Sequence, residues 1–430
     1  MRLKKENHFF LLVDCNNFYV SCERVFDPDL RNKPVIILSN NDGCAVAISD
    51  EAKKLGIKRG TPLFKIENKI KKYDVRVLSS NYALYGDMSE RIMNLLYDFT
   101  SEVEIYSIDE AFLKFTKKND YRTLSKKIKN YIFKRTGIPV SIGAAKTKTL
   151  AKAATHFAKK YDIYEGVCDF NSYNEIDYFL KKISVEDIWG IGRRYSRKLK
   201  KKNINTAYDL INLDDGWVRE NLGGVVGIRM LWELRGFSSL KLEKRVKKKK
   251  QIVSSRSFGK DIGKLADLNQ AIATYITRAC KKLREQNSLV STMHIFVHTN
   301  KYKDYIQQHE SAAYKFAVST DYTPKIIEKG KLLLNKLYKK GYKYKKVGVI
   351  FSDIIDRREK KPNLFEPEDY YKKESEIMKA VDKINIKWGK NTIKSGGAKI
   401  DSKNNEWEMR RNYLSKRYTT KWNEILNVKI

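Results

Sequence analysis

Along this 430-residue chain, runs of apolar residues, strict alternation and helical spacing each predict a different kind of element. Phe9-Phe10-Leu11-Leu12-Val13 is an unbroken apolar run closed by Asp14, the pattern of a buried strand. Val103-Glu104-Ile105-Tyr106 and Ala111-Phe112-Leu113-Lys114-Phe115 alternate on either side of an acidic turn, Ser107-Ile108-Asp109-Glu110, and predict a hairpin. Residues 33–38, 45–48 and 140–145 read as further strands, the first two joined by an Asn-Asn-Asp-Gly turn. Helices are predicted after Asn16 and Asn17, which can cap one, and over 50–55, with Ser49 as cap and Gly56 as stop. Others follow over 81–100, about 121–135, and up to Lys160. The first 170 residues therefore alternate strands and helices around a sheet, with acids at strand ends and residues 21–74 as a small insertion. Residues 184–200 read helix–hairpin–helix. From 251 onward the order is strand, helix, strand, strand, helix, strand, a βαββαβ sheet with helices on one face. Residues 356–369, with Pro362 and Pro367, read as a linker before a helix at about 370–385.

If the Asp14 strand and the hairpin are sheet neighbours, Asp14, Asp109 and Glu110 meet at one spot. Unpaired charges are too costly to bury in a core. Three carboxylates make a hard oxygen site suited to Mg²⁺ or Mn²⁺, and two such ions serve phosphoryl transfer. The plainer reading is that an Asp at a strand end forms a turn or caps a helix, and that the Asp-Glu pair is simply solvated.

Charge changes the picture. Lys+Arg number 87 against 51 Asp+Glu, a formal charge of +36, which implies a polyanionic partner, nucleic acid first. A membrane surface is the rival, but no stretch of 18 apolar residues, signal peptide or lipidation motif is present. Five cysteines without CxxC spacing fit a reducing cytoplasm and argue against structural zinc.

Several residues gain interest against that charge. Tyr19 lies five residues after Asp14 on the first turn of its helix, either as core or as the wall of a substrate pocket, whereas Phe18 reads as core. Lys53 and Lys54 are either solvated or phosphate contacts. Lys146, Lys148, Lys152, Lys159 and Lys160 begin where a strand ends, so some of them face the acids, in a sequence without a Walker A loop. Trp189-Gly190-Ile191-Gly192 followed by Arg193, Arg194, Arg197, Lys198 and Lys200 suits a nucleic-acid backbone, and Leu222-Gly223-Gly224-Val225-Val226-Gly227 reads as a degenerate second copy. His294, Phe296 and His298 share one strand face and lack further ligands for a metal. Leu364-Phe365, an apolar pair in a polar linker, suggests a docking motif.

Taken together, the chain resembles the Y-family DNA polymerases, and within them the UmuC type. The resemblance is carried from end to end by FFLLVDCNNFYVSCE (9–23), LSNNDGCAVA (38–47), SSNYALYGDMS (79–89), EIYSIDEAF (104–112), AAKTKTLAK (144–152), IWGIGRR (188–194), SRSFG (255–259) and RYTTKW (417–422). It implies an α+β multidomain right hand. Its parts would be a palm with a ferredoxin-like sheet over 1–20 and 75–180, small fingers over 21–74, and a helical thumb with helix–hairpin–helix over 181–243. A basic linker (244–250), a little finger (251–355) and a C-terminal stretch (356–430) with a clamp-binding-like motif complete it. It implies error-prone translesion synthesis in the SOS response, a cytoplasmic, nucleoid-associated enzyme without a membrane, and primer-template DNA and dNTPs as substrates. Implied partners are a sliding clamp and UmuD′-like and RecA-like proteins. Residue by residue, Asp14, Asp109 and Glu110 resemble the ligands of two Mg²⁺ ions, and the Cys15 carbonyl adds another. Tyr19 resembles the steric gate beneath the sugar, and Phe18, Lys53 and Lys159 the triphosphate contacts. Gly190, Gly192, Arg193, Arg194 and Arg256 resemble DNA contacts, and Leu364 and Phe365 the clamp contact. The fingers helix carries Asp50-Glu51-Ala52-Lys53 where the family often has Tyr-Glu-Ala-Arg, and Lys361 and Pro362 stand where Gln and Leu are usual in the clamp motif. A two-metal nuclease and a non-catalytic scaffold are the other readings of these residues.

Overall fold

The computed structural model describes residues 8–116, 120–170, 176–244, 247–360, 368–389, 391–396, 407 and 409–426. They form two compact units: Met1–Ser39, Gly43–Val246 and Tyr413–Ile430 make the first, Asn40–Asp42 and Lys247–Asn412 the second.

In chain order the first unit runs β1 (Phe9–Cys15), α1 (Phe18–Phe26), β2 (Val35–Leu38), β3 (Ala45–Ile48), α2 (Asp50–Lys54), α3 (Glu67–Lys72), β4 (Arg76–Ser79), α4 (Tyr82–Leu96), β5 (Val103–Ile105) and β6 (Glu110–Phe115). It continues with α5 (Tyr121–Thr136), β7 (Val140–Ala145), α6 (Lys148–Lys160), β8 (Val167–Asp169), α7 (Ile176–Lys182), α8 (Arg193–Lys200), α9 (Ala207–Ile211), α10 (Asp215–Asn221) and α11 (Val225–Leu234). The main sheet has the order β5-β6-β1-β7-β8, and a small sheet the order β3-β2-β4. β1 is central and antiparallel to both neighbours. Its alternate side chains go to different cores. Phe10 and Leu12 join Phe112 and the apolar residues of α6, whereas Leu11, Val13 and Cys15 pack with α1, α4 and α5. That double burial is why β1 reads as an unbroken apolar run and not an alternating one.

Two expectations need correction. The helix expected over 81–100 stops at Leu96, where Tyr97, Asp98 and Phe99 turn back on carbonyls three residues earlier. Asn17 does occupy the N-cap of α1, but in a left-handed conformation (φ 45°) that aims its side chain away from the helix amides. That side chain instead donates to Asp50 (2.9 Å) and accepts from Lys53 (2.9 Å).

The second unit runs β9 (Ile252–Ile262), α12 (Leu265–Glu285), β10 (Ser288–Thr299), β11 (His309–Thr320), α13 (Thr323–Leu337), β12 (Tyr344–Asp356) and α14 (Glu368–Lys387). Its first six elements realise the expected βαββαβ order as one antiparallel sheet, β11-β10-β12-β9. Ile272, Ile276, Leu283, Ile326 and Leu334 of its helices are buried in one cluster with Met293, Ile295, Val347 and Val349 of the strands.

Candidate active site

The pairing of β1 with β6 sets Asp14 directly opposite Glu110. Both point to the face shared with Leu12 and Phe112, because side chains two apart on a strand project to the same side. Asp109 precedes Glu110 in the hairpin turn, and its carbonyl accepts from Cys15 N at 2.9 Å, closing the turn onto the end of β1. Ser107 organises that turn. Its hydroxyl donates to Asp109 Oδ1 (2.5 Å) and accepts from the amides of Asp109 (3.2 Å) and Glu110 (3.0 Å). The three acids, Cys15, Phe18, Tyr19, Lys53, Arg59 and Lys159 line one open cavity of about 1210 Å³.

Helix α6 brings the cations. It lies so close on β7 that a Cβ at Gly143 would sit 2.2 Å from Thr155 N and 2.3 Å from the Ala151 carbonyl, so only glycine admits this approach. Lys152 and Lys159, two helical turns apart, project on one face. Lys152 Nζ contacts Glu110 Oε1 and Oε2 at 2.8 and 3.0 Å, and Lys159 Nζ contacts Asp14 Oδ1 at 2.5 Å. Lys152 also lies 4.8 Å from the ring centre of Tyr106 and 5.6 Å from that of Trp189, and the indole donates to the Tyr106 hydroxyl (3.1 Å). Of the other lysines, Lys148 forms a buried pair with Glu104 of β5 (2.7 Å), while Lys146 and Lys160 are exposed.

Burial raises the Asp14 carboxyl well above the usual carboxylate range. Lys159 opposes that rise, and Glu110 and Asp109 add to it. Such a desolvated carboxylate needs a cation, and an all-oxygen donor set of three carboxylates fits a hard divalent ion. Among the described residues, no three His, Cys, Asp or Glu side chains close into a metal-holding group. Asp14 and Glu110 are each engaged by an ammonium group instead.

Tyr19 faces the cavity and stacks on Tyr85, centroids 4.3 Å apart at 17°. Phe18 also lines the cavity, but its ring is buried in the core, which leaves its main chain as the part available to a ligand. Lys53 is half exposed and bound to Asp50 and Asn17. Gly190 (φ +99°) and Gly192 lead into the N-terminus of α8, where Arg193 and Arg194 are exposed. Gly223 and Gly224, both at positive φ, do the same before α11. In the second unit Arg256 is exposed on β9, His294 bonds Ser352 (3.1 Å) and His298 packs on Phe296 and His309. Leu364 and Phe365 lie outside the described residues. Sequence reasoning singled out neither Ser107 nor Tyr106. It named Lys152 among five lysines without distinguishing it, and the seven-residue spacing from Lys159 was the available signal.

Residues 13–156 match the impB/mucB/samB family and residues 249–364 its C-terminal domain; residues 375–428 match a domain of unknown function. The chain is 39% identical to Protein UmuC of Salmonella typhimurium strain LT2, covering 98% of this chain and 100% of that protein. It is 37% identical to Protein ImpB of Salmonella typhimurium, covering 97% and 98%. A Y-family DNA polymerase chimera of Dbh and Dpo4 has a similar fold, with a TM-score of 0.65 at 22% identity, over 81% of this chain and 99% of that one.

Proposed function

Because the chain belongs to the impB/mucB/samB family, the UmuC-type Y-family DNA polymerases, we propose that it copies damaged templates by two-ion nucleotidyl transfer in the SOS response. The observation that carries this reading is the in-register pairing of Asp14 with Glu110, beside Asp109, in the cavity that also presents Tyr19.

In this reading Asp14, Asp109, Glu110 and the Cys15 carbonyl hold two Mg²⁺ ions, which Mn²⁺ can replace. When bound, the ions supply acidification of the primer 3′-hydroxyl and neutralisation of the triphosphate. The chain's own residues do the rest. Lys159 opposes the protonation of the buried Asp14 and stands, with Lys53 and the main chain at Phe18, where a triphosphate needs cations and donors. Lys152, fixed by Glu110 and two aromatic rings, adds positive potential. Ser107 holds the turn so that Asp109 and Glu110 keep their places. Tyr19 presents its ring to the nucleotide sugar.

We assign the palm to 1–20 and 75–180, the fingers to 21–74, the thumb to 181–243 and the little finger to 251–355, joined by the basic stretch 244–250. Gly190, Gly192, Arg193, Arg194 and Arg256 would grip the DNA backbone, which is sequence-tolerant and suits distorted templates. Leu364 and Phe365 would dock a sliding clamp, UmuD′-like and RecA-like proteins would serve as partners, and the enzyme would work in the cytoplasm at the nucleoid. The test is primer extension with Mg²⁺ and dNTPs on intact and abasic templates. Extension on both is expected; primer shortening, or binding without incorporation, would overturn the reading.

A further inference from the structure

We propose that residues 413–418 form a strap that positions Tyr19 by tying together α1 and α4, the two helices whose tyrosines stack beside the cavity. The inference rests on the reading of Tyr19 as the sugar-facing residue, and it gives a role to part of the segment that matches a domain of unknown function.

Tyr19 belongs to α1, and its ring rests on Tyr85 of α4, with Tyr82 of α4 edge-on at 6.3 Å. The position of Tyr19 therefore depends on the separation of these helices. The strap holds both of them. The Tyr413 amide donates to the Ser79 hydroxyl (3.0 Å) and its carbonyl accepts from the Ser79 amide (2.8 Å), just before α4. Asn81 caps α4 by accepting from Leu84 N (3.3 Å), and its amide nitrogen donates to the Ser415 hydroxyl (2.9 Å) and the Lys416 carbonyl (3.1 Å). On the other helix, Tyr418 stacks on Phe26, the last residue of α1, centroids 4.9 Å apart at 5°.

The two attachments meet at Glu23 of α1, which is 1% exposed. One of its oxygens, Oε1, accepts from Tyr85 Oη (2.6 Å) and from Ser415 Oγ (3.0 Å). A continuous path thus runs from Ser415 to Glu23, to Tyr85, to the ring of Tyr19. Removing the Ser415 hydroxyl loosens Glu23; removing the Tyr85 hydroxyl keeps the stacked ring but frees it to slide. Either change widens the place where a 2′-hydroxyl must be refused.

The experiment compares ribonucleotide with deoxyribonucleotide insertion on one primer for Tyr19→Ala, Tyr85→Phe, Ser415→Ala and Ser415→Thr, with a melting curve for each. Tyr19→Ala should raise the rNTP/dNTP ratio at least about tenfold. Tyr85→Phe and Ser415→Ala should raise it about two- to tenfold, as expected for one lost hydrogen bond, and Ser415→Thr, which keeps a hydroxyl, should restore the original ratio. A smaller folded fraction scales both rates and leaves the ratio alone. If Ser415→Ala lowers both rates at constant ratio, the segment is merely structural and the proposal is overturned. If only Tyr19→Ala moves the ratio, the gate stands and the strap fails; if Tyr19→Ala leaves it unchanged, the gate reading fails and takes the strap with it. Should Tyr85→Phe not fold, Ser415→Ala and Tyr418→Ala decide the matter by the same ratio.

Discussion

Lys159 Nζ lies 2.5 Å from Asp14 Oδ1, so a half-exposed ammonium reaches in to a buried carboxylate and offsets part of the rise that burial imposes on it. If that ammonium also receives the triphosphate, Lys159→Met should weaken nucleotide use more than DNA binding. Hydrogen bonds to charged groups contribute about 1.5–3 kcal/mol, so kcat/KM for dNTP should fall roughly ten- to hundredfold. Lys159→Arg should recover part of the loss. Single-nucleotide insertion over a dNTP titration measures this; an unchanged KM and kcat in Lys159→Met would confine the pair to a structural role.

Asp109→Ala and Glu110→Ala should each abolish extension while leaving affinity for primer-template DNA largely intact. The acids sit at the strand ends, whereas on the proposed reading the basic surface residues would carry the electrostatics of duplex binding. Extension and gel-shift assays on the same preparations read the two properties, and normal extension by either variant would remove the acids from catalysis.

Gly143→Ala tests how α6 is seated. The added Cβ has backbone 2.2 Å away, so the helix must shift. Overpacking of this kind costs typically about 1–3 kcal/mol, and here it also carries Lys152 and Lys159 away from the acids. A lower melting temperature should therefore accompany a raised KM for dNTP below the transition. A wild-type KM in a destabilised variant would separate helix seating from the site.

Glu23 makes stability depend on pH. Burial, only partly opposed by the Tyr85 and Ser415 hydrogen bonds, raises its carboxyl to about 7 from an ordinary value of 4.5. Between those values the folded chain holds a proton that the unfolded chain has lost, so stability falls as pH rises through the window and levels off above it. At 1.36 kcal/mol per unit the loss is about 3 kcal/mol. The wild type should thus lose melting temperature relative to Glu23→Gln between pH 4.5 and 7; parallel curves for the two proteins would mean that the carboxyl titrates normally.

Affinity for DNA should fall steeply with salt, as the charge of +36 implies. Neutralising roughly six phosphates gives a log–log slope of about −5, at about −0.9 per contact. A flat response would leave that charge without a nucleic-acid role.

Much of this was legible from residue patterns. A strand covered on both faces must be apolar throughout, so β1 announced itself, and the alternating flanks of the 107–110 turn announced the hairpin. Once the two were neighbours, the meeting of Asp14, Asp109 and Glu110 followed, and the βαββαβ order of the second unit rested on equally long periodic segments. What failed was long-range. Asn17 looked like a local cap, yet its side chain answers to Asp50, 33 residues away. Of the five lysines between 146 and 160 the sequence marked out only Lys159, by resemblance, and the structure adds that Lys152 also turns to the acids while Lys148 turns to Glu104. No period in the chain pairs Ser415 with Glu23, because single hydrogen bonds between distant segments leave no pattern in either.

The strap also has a consequence in time. Ser415 is synthesised 334 residues after Asn81; at about 5–20 residues per second, α4 waits roughly a quarter of a minute to a minute for it. During that interval Glu23 lacks its Ser415 hydrogen bond and Phe26 its stacking partner, so each nascent molecule passes through a looser form of the first unit. Pulse-labelled chains should be cut by a protease near residues 79–81 more readily than completed ones, and equal cutting would show that the unit is already closed. Where proteases are active, the rate of translation itself would then help set how many finished molecules a cell obtains.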